Sequence, residues 1–420
     1  MTPPSLDAAR MLERIVALGE IGRTDGVLTR LAASDADRAA RDRLVAWLRE
    51  AGLDVVIDRI GNILGVWSTP ENAGRAPVVM GSHIDTVIDA GIYDGCYGVL
   101  AGLAVIEALK ESGATPLRPL AVVAFTNEEG VRFAPDMLGS LVAAGGMPLE
   151  AALAVVGTDG ARLGDELQRI GYAGAADPGA LRPHAYLELH IEQGPVLERE
   201  GASIGAVGRL QGISWRRVVF QGVANHAGTT PMAMRRDAGA AAARVIAWLR
   251  DRMRASNAST VATVGVIAFE PNAINVIPSR ATFTVDLRDP DAARLRREED
   301  ALEEFLAEVA RSEDVGVSVE VLARFEPVAF DPGLVAMIEE AAAARRLPCR
   351  RMVSGAGHDA QMMARVAPAA MIFVPSRDGV SHNPAEFTAQ ADLAAGAAVL
   401  LDVVARLACA TPDDDGRAGG

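Results

Sequence analysis

Four continuous apolar runs, far apart in the chain, predict buried parallel strands. They are Val78–Met80, Leu120–Phe125, Ala185–Leu189 and Ala370–Val374. Strands of α/β sheets read as near-continuous apolar runs because helices cover both of their faces. A helical pattern over Gly98–Lys110 separates the first two runs, which gives the strand–helix–strand order of a βαβ unit. We therefore predict an α/β fold built on a doubly wound mixed sheet.

A different pattern begins near Arg209. Amphipathic helices and strands with period-two alternation follow in the order β-α-β-β-α-β, which is typical of a ferredoxin-like α+β sandwich. The predicted elements are Trp215–Gly222, Asp237–Arg254, Ser259–Ala268, Arg280–Leu287, Asp291–Ser312 and Val315–Val321. A self-contained unit of this order inside an α/β chain indicates an inserted domain. We place the insert at residues 210–325 and the discontinuous first domain at residues 1–209 and 326–420.

Each of the four apolar runs leads into side chains that bind metals or move protons. In chain order these are His83, Asp85 and Asp94, then Glu128 and Glu129, then His190, and finally His382. Sites in open α/β sheets lie beyond the carboxyl ends of the strands, so we expect these side chains to meet. Imidazoles and carboxylates together are the ligands of two-metal hydrolytic centres. The sequence therefore predicts a metal site at the strand ends.

Several of these residues also have a simpler structural explanation. Asp94 has two oxygens with which to bridge two metals, and it is also placed to cap the helix that follows it. The adjacent Glu128 and Glu129 form either a solvated acidic turn or, as we favour after an apolar run, one metal ligand beside one proton carrier. Asp85, two residues after His83, is spaced to orient its imidazole.

Two further histidines carry weaker signals. His358 in GAGHDA either lines the site or, as we favour, caps a helix. His226 in ANHAGTTP belongs to the insert, so it reaches the metals only if the domains close or a second subunit supplies it.

Composition narrows the class of protein. A formal charge of −14 argues against nucleic-acid binding, which selects basic surfaces. No apolar run nears the roughly 20 residues that cross a bilayer, and the first residues lack the basic and apolar regions of a signal peptide. The three cysteines, Cys96, Cys349 and Cys409, have no paired spacing. A cytoplasmic protein with reduced thiols is the simplest interpretation.

Taken together, the motifs resemble the M20 metallopeptidase superfamily, and within it the hydantoinase/carbamoylase family of amidases. The matching blocks are GSHIDTVIDAGIYDG, FTNEEGVRF, LELHIEQGPVLE, NHAGTTPM, NVIPSRATFTVDLRD and SGAGHDAQ. They follow the family order and cover nearly the whole chain. The resemblance implies a homodimer built on the insert, which also acts as a lid, with His226 supplied by the partner subunit.

The resemblance also implies a role for each site residue. His83 and His190 each bind one metal, with Asp94 bridging, while Glu129 and His382 complete the other; the two ions are divalent (zinc, or manganese, cobalt or nickel). Glu128 is the general acid/base. The implied substrate-binding residues are Gln193, His226, Asn275, Arg288 and Gly357. For Arg288 the structural alternative is an ion pair with Asp286 or Asp289, and for Asn275 it is a turn position.

The implied reaction is hydrolysis of an N-carbamoyl-L-amino acid to the L-amino acid, carbon dioxide and ammonia. Alternatives on the same metals are an allantoate amidohydrolase, a β-ureidopropionase or an aminoacylase-like peptidase. A non-catalytic binding protein on a hydrolase fold would lack a ligand or Glu128, and the sequence has them all.

Overall fold

The structure of the protein is a computed structural model that describes residues 4–256 and 260–409 of the 420-residue chain. The chain divides into two compact units. Unit 1 contains the residues up to Gly208 and those from Phe330 onward, and unit 2 runs from Arg209 to Ala329.

The helices are α1 (Ala8–Gly19), α2 (Asp35–Glu50), α3 (Cys96–Glu111), α4 (Leu138–Ala143), α5 (Leu149–Leu153), α6 (Leu163–Arg169), α7 (Val196–Glu200), α8 (Ala238–Ala255), α9 (Ala292–Ser312), α10 (Pro332–Ala344), α11 (Asp359–Met363) and α12 (Gln390–Cys409). The strands are β1 (Arg23–Thr24), β2 (Val27–Leu28), β3 (Asp54–Ile57), β4 (Ile63–Trp67), β5 (Val78–His83), β6 (Leu120–Phe125), β7 (Ala185–Ile191), β8 (Ile204–Leu210), β9 (Gly212–Gln221), β10 (Asn225–His226), β11 (Val261–Thr263), β12 (Ile267–Glu270), β13 (Val276–Ile277), β14 (Arg280–Asp289), β15 (Gly316–Phe325), β16 (Val328–Ala329), β17 (Cys349–Ser354) and β18 (Ala369–Val374).

The sheet of unit 1 is mixed. Its strands follow the order β8-β18-β7-β5-β6-β4-β3, and β17 also pairs with β8. The four central strands β18, β7, β5 and β6 are parallel neighbours, and every residue of these strands is buried. The strands outside them, β8 on one side and β4 and β3 on the other, are antiparallel to their neighbours. The continuous apolar runs thus correspond to the parallel centre of the sheet, as predicted.

Helices cover both faces of this sheet. Leu189 of β7 lies close to Gly396 of α12, whereas the adjacent Glu188 accepts a hydrogen bond from the Ala360 backbone amide of α11. Successive side chains of a strand point to opposite faces, so α12 and α11 lie on opposite sides. The predicted doubly wound α/β class is confirmed.

Unit 2 is an antiparallel sheet covered by two helices. Its strands follow the order β11-β14-β9-β15, with β12 also paired to β14. Side chains of α8 and α9, including Val245 and Leu302, form one buried core with strand residues such as Val218 and Phe283. The order β9-α8-β11/β12-β14-α9-β15 is the predicted ferredoxin-like one. A separate two-stranded ribbon joins β10 to β13.

Some predicted boundaries were wrong. The predicted strand Ser259–Ala268 is two short strands, β11 and β12, whose interruption lets both pair with β14. Strand β5 continues past Met80 to His83, so this histidine is the last strand residue. Helix α2 is capped by Ser34, which accepts a hydrogen bond from the Asp37 amide.

The described helices include none with the length and apolar character needed to cross a membrane. Cys96 and Cys349 are free thiols, and the side chain of Cys409 lies outside the described residues.

Candidate metal centre

The carboxyl ends of the central strands deliver the predicted side chains to one place. His83 ends β5, His190 is the last residue but one of β7, and Glu128 and Glu129 follow β6 by three and four residues. His382 lies in the loop after β18. His83, His190 and Glu128 are buried in the protein interior.

Asp94 is the centre of the first group. Its Oδ1 lies 3.1 Å from His190 Nε2 and 3.5 Å from His83 Nε2. Burial disfavours the charged form of Asp94, but its contacts with His190, His382 and His83 hold the pKa of this carboxyl well below its usual value.

The other oxygen of Asp94 belongs to a second group. Asp94 Oδ2 lies 3.3 Å from His382 Nε2, and Glu129 Oε2 lies 3.5 Å from the same nitrogen. Gln193 Nε2 donates a hydrogen bond of 2.8 Å to Asp94 Oδ2. Asp94 therefore presents one oxygen to each group, which is the arrangement that a bridging ligand requires.

His83 and His190 belong to the same group. Both lie beside one oxygen, Asp94 Oδ1, whereas Glu129 and His382 lie with the other group. The reason is topological, because β5 and β7 are adjacent parallel strands and their ends deliver both imidazoles to the same side.

The donor set fits divalent metal ions. A tetrahedral ion with ligands at about 2.0–2.1 Å separates its ligand atoms by roughly 3.3–3.4 Å, and the four nitrogen–oxygen separations above are 3.1 to 3.5 Å. His83 Nδ1 and His190 Nδ1 contact the backbone oxygens of Asp85 and Ile191 at 3.0 and 2.8 Å. Those nitrogens therefore carry the proton, which leaves each Nε2 lone pair for a metal. Glu129 Oε1 is buried without a hydrogen-bond partner among the described residues.

Glu128 lies beside the two groups and belongs to neither. Its Oε2 is 3.4 Å from His83 Nε2. Burial raises the pKa of Glu128 well above its usual value, the nearby His83 opposes that shift, and the carboxylates of Asp359 and Glu129 add to it. A buried carboxyl that holds a proton this readily suits general acid/base chemistry.

Asp85 acts differently from its prediction. Its backbone oxygen contacts His83 Nδ1, while its carboxylate lies 3.9 Å away from that nitrogen, too far for a hydrogen bond. The carboxylate instead accepts the backbone amides of Glu128 and Glu129, at 3.2 and 3.3 Å. Asp85 therefore fixes the acidic turn, because the loop after β5 runs beside the loop after β6.

Glu386 was not anticipated from the sequence. Its Oε1 accepts the amides of Tyr93 and Asp94, and its Oε2 accepts the Ser381 hydroxyl. It joins the Asp94 loop to the His382 loop. Burial, with the charge of Asp94, raises the pKa of Glu386 to about 7. Its position four residues after His382 was the only available signal.

A second set of residues lies behind His190, and among them Glu188 was not anticipated from the sequence. Glu188 accepts hydrogen bonds from Ser82, Tyr186 and the Ala360 amide. His358 occupies the cap position of α11 without a capping hydrogen bond, so the predicted cap was wrong. Its ring packs against His190 with centroids 4.5 Å apart. A buried aromatic contact has replaced the cap because β7 lies against α11.

The predicted substrate residues fall in both units. In unit 1, Gln193 contacts Asp94, and Gly357 lies in the turn before α11. In unit 2, the Ala227 amide, next to His226, donates to the Asn275 carbonyl at 3.0 Å, so these two residues lie on one ribbon. Arg288, on β14, donates from Nε and Nη2 to Asp286, which is the ion pair foreseen as its alternative.

The chain is similar to several known proteins. The sequence model of the protein family Peptidase family M20/M25/M40 matches residues 79–406 of the chain. An N-carbamoyl-L-amino-acid amidohydrolase of Rhizobium meliloti is 40% identical over 95% of this chain and 96% of its own. An allantoate amidohydrolase of Escherichia coli is 37% identical over 91% of this chain and 93% of its own. The crystal structure of a hydantoinase/carbamoylase family amidase from Burkholderia multivorans has a TM-score of 0.92 and 44% identity, and the match covers 97% of this chain and 99% of that one.

Proposed function

The chain belongs to peptidase family M20/M25/M40, and we propose that it is a metal-dependent amidohydrolase that cleaves the ureido bond of N-carbamoyl-L-amino acids. The products are the L-amino acid, carbon dioxide and ammonia. The observation that carries this proposal is the shared Asp94, which has His83 and His190 at one oxygen and His382 at the other. The similarity to two amidohydrolases, from Rhizobium meliloti and Escherichia coli, supports hydrolysis of a non-peptide carbon–nitrogen bond.

His83, His190 and Asp94 would hold one divalent ion, and Asp94, Glu129 and His382 a second. Bound there, such ions supply Lewis acidity, which polarises a carbonyl oxygen and lowers the pKa of water. Zinc suits these ligands, and manganese, cobalt or nickel are the alternatives.

Glu128 moves the protons. Its Oε2 takes a proton from the attacking water and returns it to the leaving nitrogen of the ureido group. The Asp85 carboxylate fixes the backbone of this residue, and thus the direction in which its side chain points.

The remaining residues bind the substrate in this proposal. His226 and Asn275 donate to the carbonyl oxygen as negative charge develops on it. Arg288, whose planar guanidinium Asp286 already orients, binds the substrate carboxylate. Gln193 and Gly357 are the substrate-binding residues that unit 1 contributes in this proposal. We also propose a cytoplasmic homodimer in which the partner copy supplies His226.

A substrate panel tests this proposal. Ammonia release is measured with N-carbamoyl-L-amino acids, N-carbamoyl-β-alanine, allantoate and an N-acetyl amino acid, after chelation and reloading with each of the four metals. The expected result is preferred turnover of N-carbamoyl-L-amino acids that depends on metal. Preferred turnover of allantoate would support the second candidate, which the Escherichia coli relative favours.

Two physical measurements test the proposed metal content and the proposed homodimer. Elemental analysis of the purified protein should find two metal ions per chain, and absence of metal would favour a binding protein. Light scattering should give twice the 43.9 kDa chain mass.

A further inference from the structure

The ribbon that carries His226 holds its ring in an unusual way. His226 Nδ1 accepts the backbone amides of Gly228 at 3.0 Å and Thr229 at 3.2 Å. The His226 carbonyl accepts the amide of Thr230 at 3.2 Å. Acceptance of amides two and three residues ahead is the geometry by which a side chain caps a helical turn. Here an imidazole nitrogen takes the place of the usual hydroxyl or carboxylate oxygen.

The turn is held from both sides. The Thr230 hydroxyl donates to the His226 carbonyl at 2.8 Å. Arg235 donates to the carbonyls of Ala227 and Thr230, at 2.6 and 3.1 Å. The bond to the Ala227 carbonyl fixes the peptide unit that carries the Gly228 amide, and the other two bonds hold the ends of the turn. Gly228 also allows their close approach, because a Cβ there would lie 3.3 Å from His226 Cε1.

These contacts decide which ring nitrogen carries the proton. A nitrogen that accepts two N–H groups must present its lone pair, so the proton of a neutral imidazole resides on the other nitrogen. The opposite ring orientation would place Cδ2–H against both amides and satisfy neither. We propose that the turn His226–Thr230 fixes the His226 ring as the Nε2–H form, so that it offers substrate a hydrogen-bond donor. Gly228 and Thr229 are its positioning residues.

The use of the Nε2–H donor by substrate rests on the proposed function, whereas the tautomer of the His226 ring does not. A neutral ring with Nε2–H stabilises an oxygen that gains negative charge, and a ring with a bare Nε2 would repel it. The fold therefore sets the polarity of the ring before substrate arrives, which removes the need to select one form during catalysis.

Nitrogen NMR tests the form of the ring directly. The zinc-loaded full chain is labelled with ¹⁵N-histidine, and the His226 signals are those lost in His226→Gln. The expected spectrum at neutral pH shows Nδ1 unprotonated and Nε2 protonated. A dominant Nδ1–H form, or a mixture of both forms, overturns the proposal.

A matched pair of variants at Thr229 tests whether its backbone amide selects the tautomer of His226. Thr229→Pro removes one amide donor, whereas Thr229→Ala keeps it. We expect the proline variant to show a mixture of both forms and the alanine variant to retain the Nε2–H form. If the proline variant retains it fully, the amide is not the cause. We also expect the proline change to lower kcat/KM about fivefold, which corresponds to one ordinary hydrogen bond.

A second pair tests the use of the donor. His226→Gln places an amide N–H near the position of Nε2, and His226→Glu places an acceptor of the same shape there. We expect kcat/KM of the glutamate variant to be at least about 100-fold below that of the glutamine variant. Equal rates would overturn the donor role. If no ureido compound is a substrate, the proposed function fails, yet NMR still decides the form of the ring.

Discussion

Asp85 provides a sharp test of how the acidic turn is held. Its two carboxylate oxygens accept one amide each, from Glu128 and Glu129. In Asp85→Asn one oxygen becomes an NH₂ group, which faces an N–H donor and cannot bond to it. The residue is 2% exposed, so water does not replace the lost bond.

The expected effect follows from that single lost bond. A hydrogen bond to a charged group contributes about 1.5–3 kcal/mol, and about 1.4 kcal/mol corresponds to a factor of ten. If this free energy no longer holds Glu128 in its working position, kcat should fall by about 10- to 100-fold. Of the proposed ligands, Glu129 is bonded to the Asp85 carboxylate through its backbone amide, and His83 Nδ1 lies 3.9 Å from it. The side-chain atoms proposed to bind metal are not part of the lost bond, so metal content should remain near that of the unmodified protein.

The assay combines ammonia release with elemental analysis of the same sample. Asp54→Asn, on an exposed residue of β3, makes the same chemical change and should keep its rate within about twofold. A rate for Asp85→Asn equal to that of the control would refute the positioning argument. Loss of metal along with activity would instead show that Asp85 supports the ligands.

Three other predictions concern separate parts of the molecule. Glu128→Gln should keep the metals and lower kcat by about 10²- to 10⁴-fold, since it removes the proton carrier; a near-normal rate in the ammonia assay would contradict the assignment. Burial raises the pKa of Asp58 to about 6, so the folded state binds its proton more tightly than the unfolded chain does. The contribution of Asp58 to the free energy of unfolding should therefore decrease by roughly 3 kcal/mol as pH rises from about 4 to 6; urea unfolding of Asp58→Asn across that range should lose this slope, and an unchanged slope would assign it elsewhere. Gly95→Ala should abolish metal binding, because the new Cβ would lie 2.5 Å from the His83 ring, whereas Gly113→Ala, also at positive φ but with open space around it, should only lower stability by about 1 kcal/mol; equal metal content by elemental analysis would refute the clash.

The central sheet was predictable because its signal is local. Each buried parallel strand is a continuous apolar run, and the polar residue after it needs no knowledge of the rest of the fold. The meeting of His83, Glu129, His190 and His382 then follows from the rule that parallel strands end at one edge.

Other features depend on which loops are neighbours, and no local pattern carries that information. Glu386 lies in a polar loop without periodicity, and only its contact with the Asp94 amide gives it a role. The spacing of Asp85 from His83 predicted that its carboxylate would orient the imidazole. The carboxylate instead binds backbone amides in the loop after β6. The division of the histidines between the two groups required the adjacency of β5 and β7.

The order of the elements along the chain has a consequence for biosynthesis. His83, Asp94, Glu129 and His190 all precede unit 2, whereas β18 and His382 follow it. A ribosome must therefore complete unit 2 before the last ligand leaves the exit tunnel. Until then the nascent chain has three of the parallel strands and one complete trio of the proposed ligands, so the two groups of side chains are completed by segments separated by an entire unit.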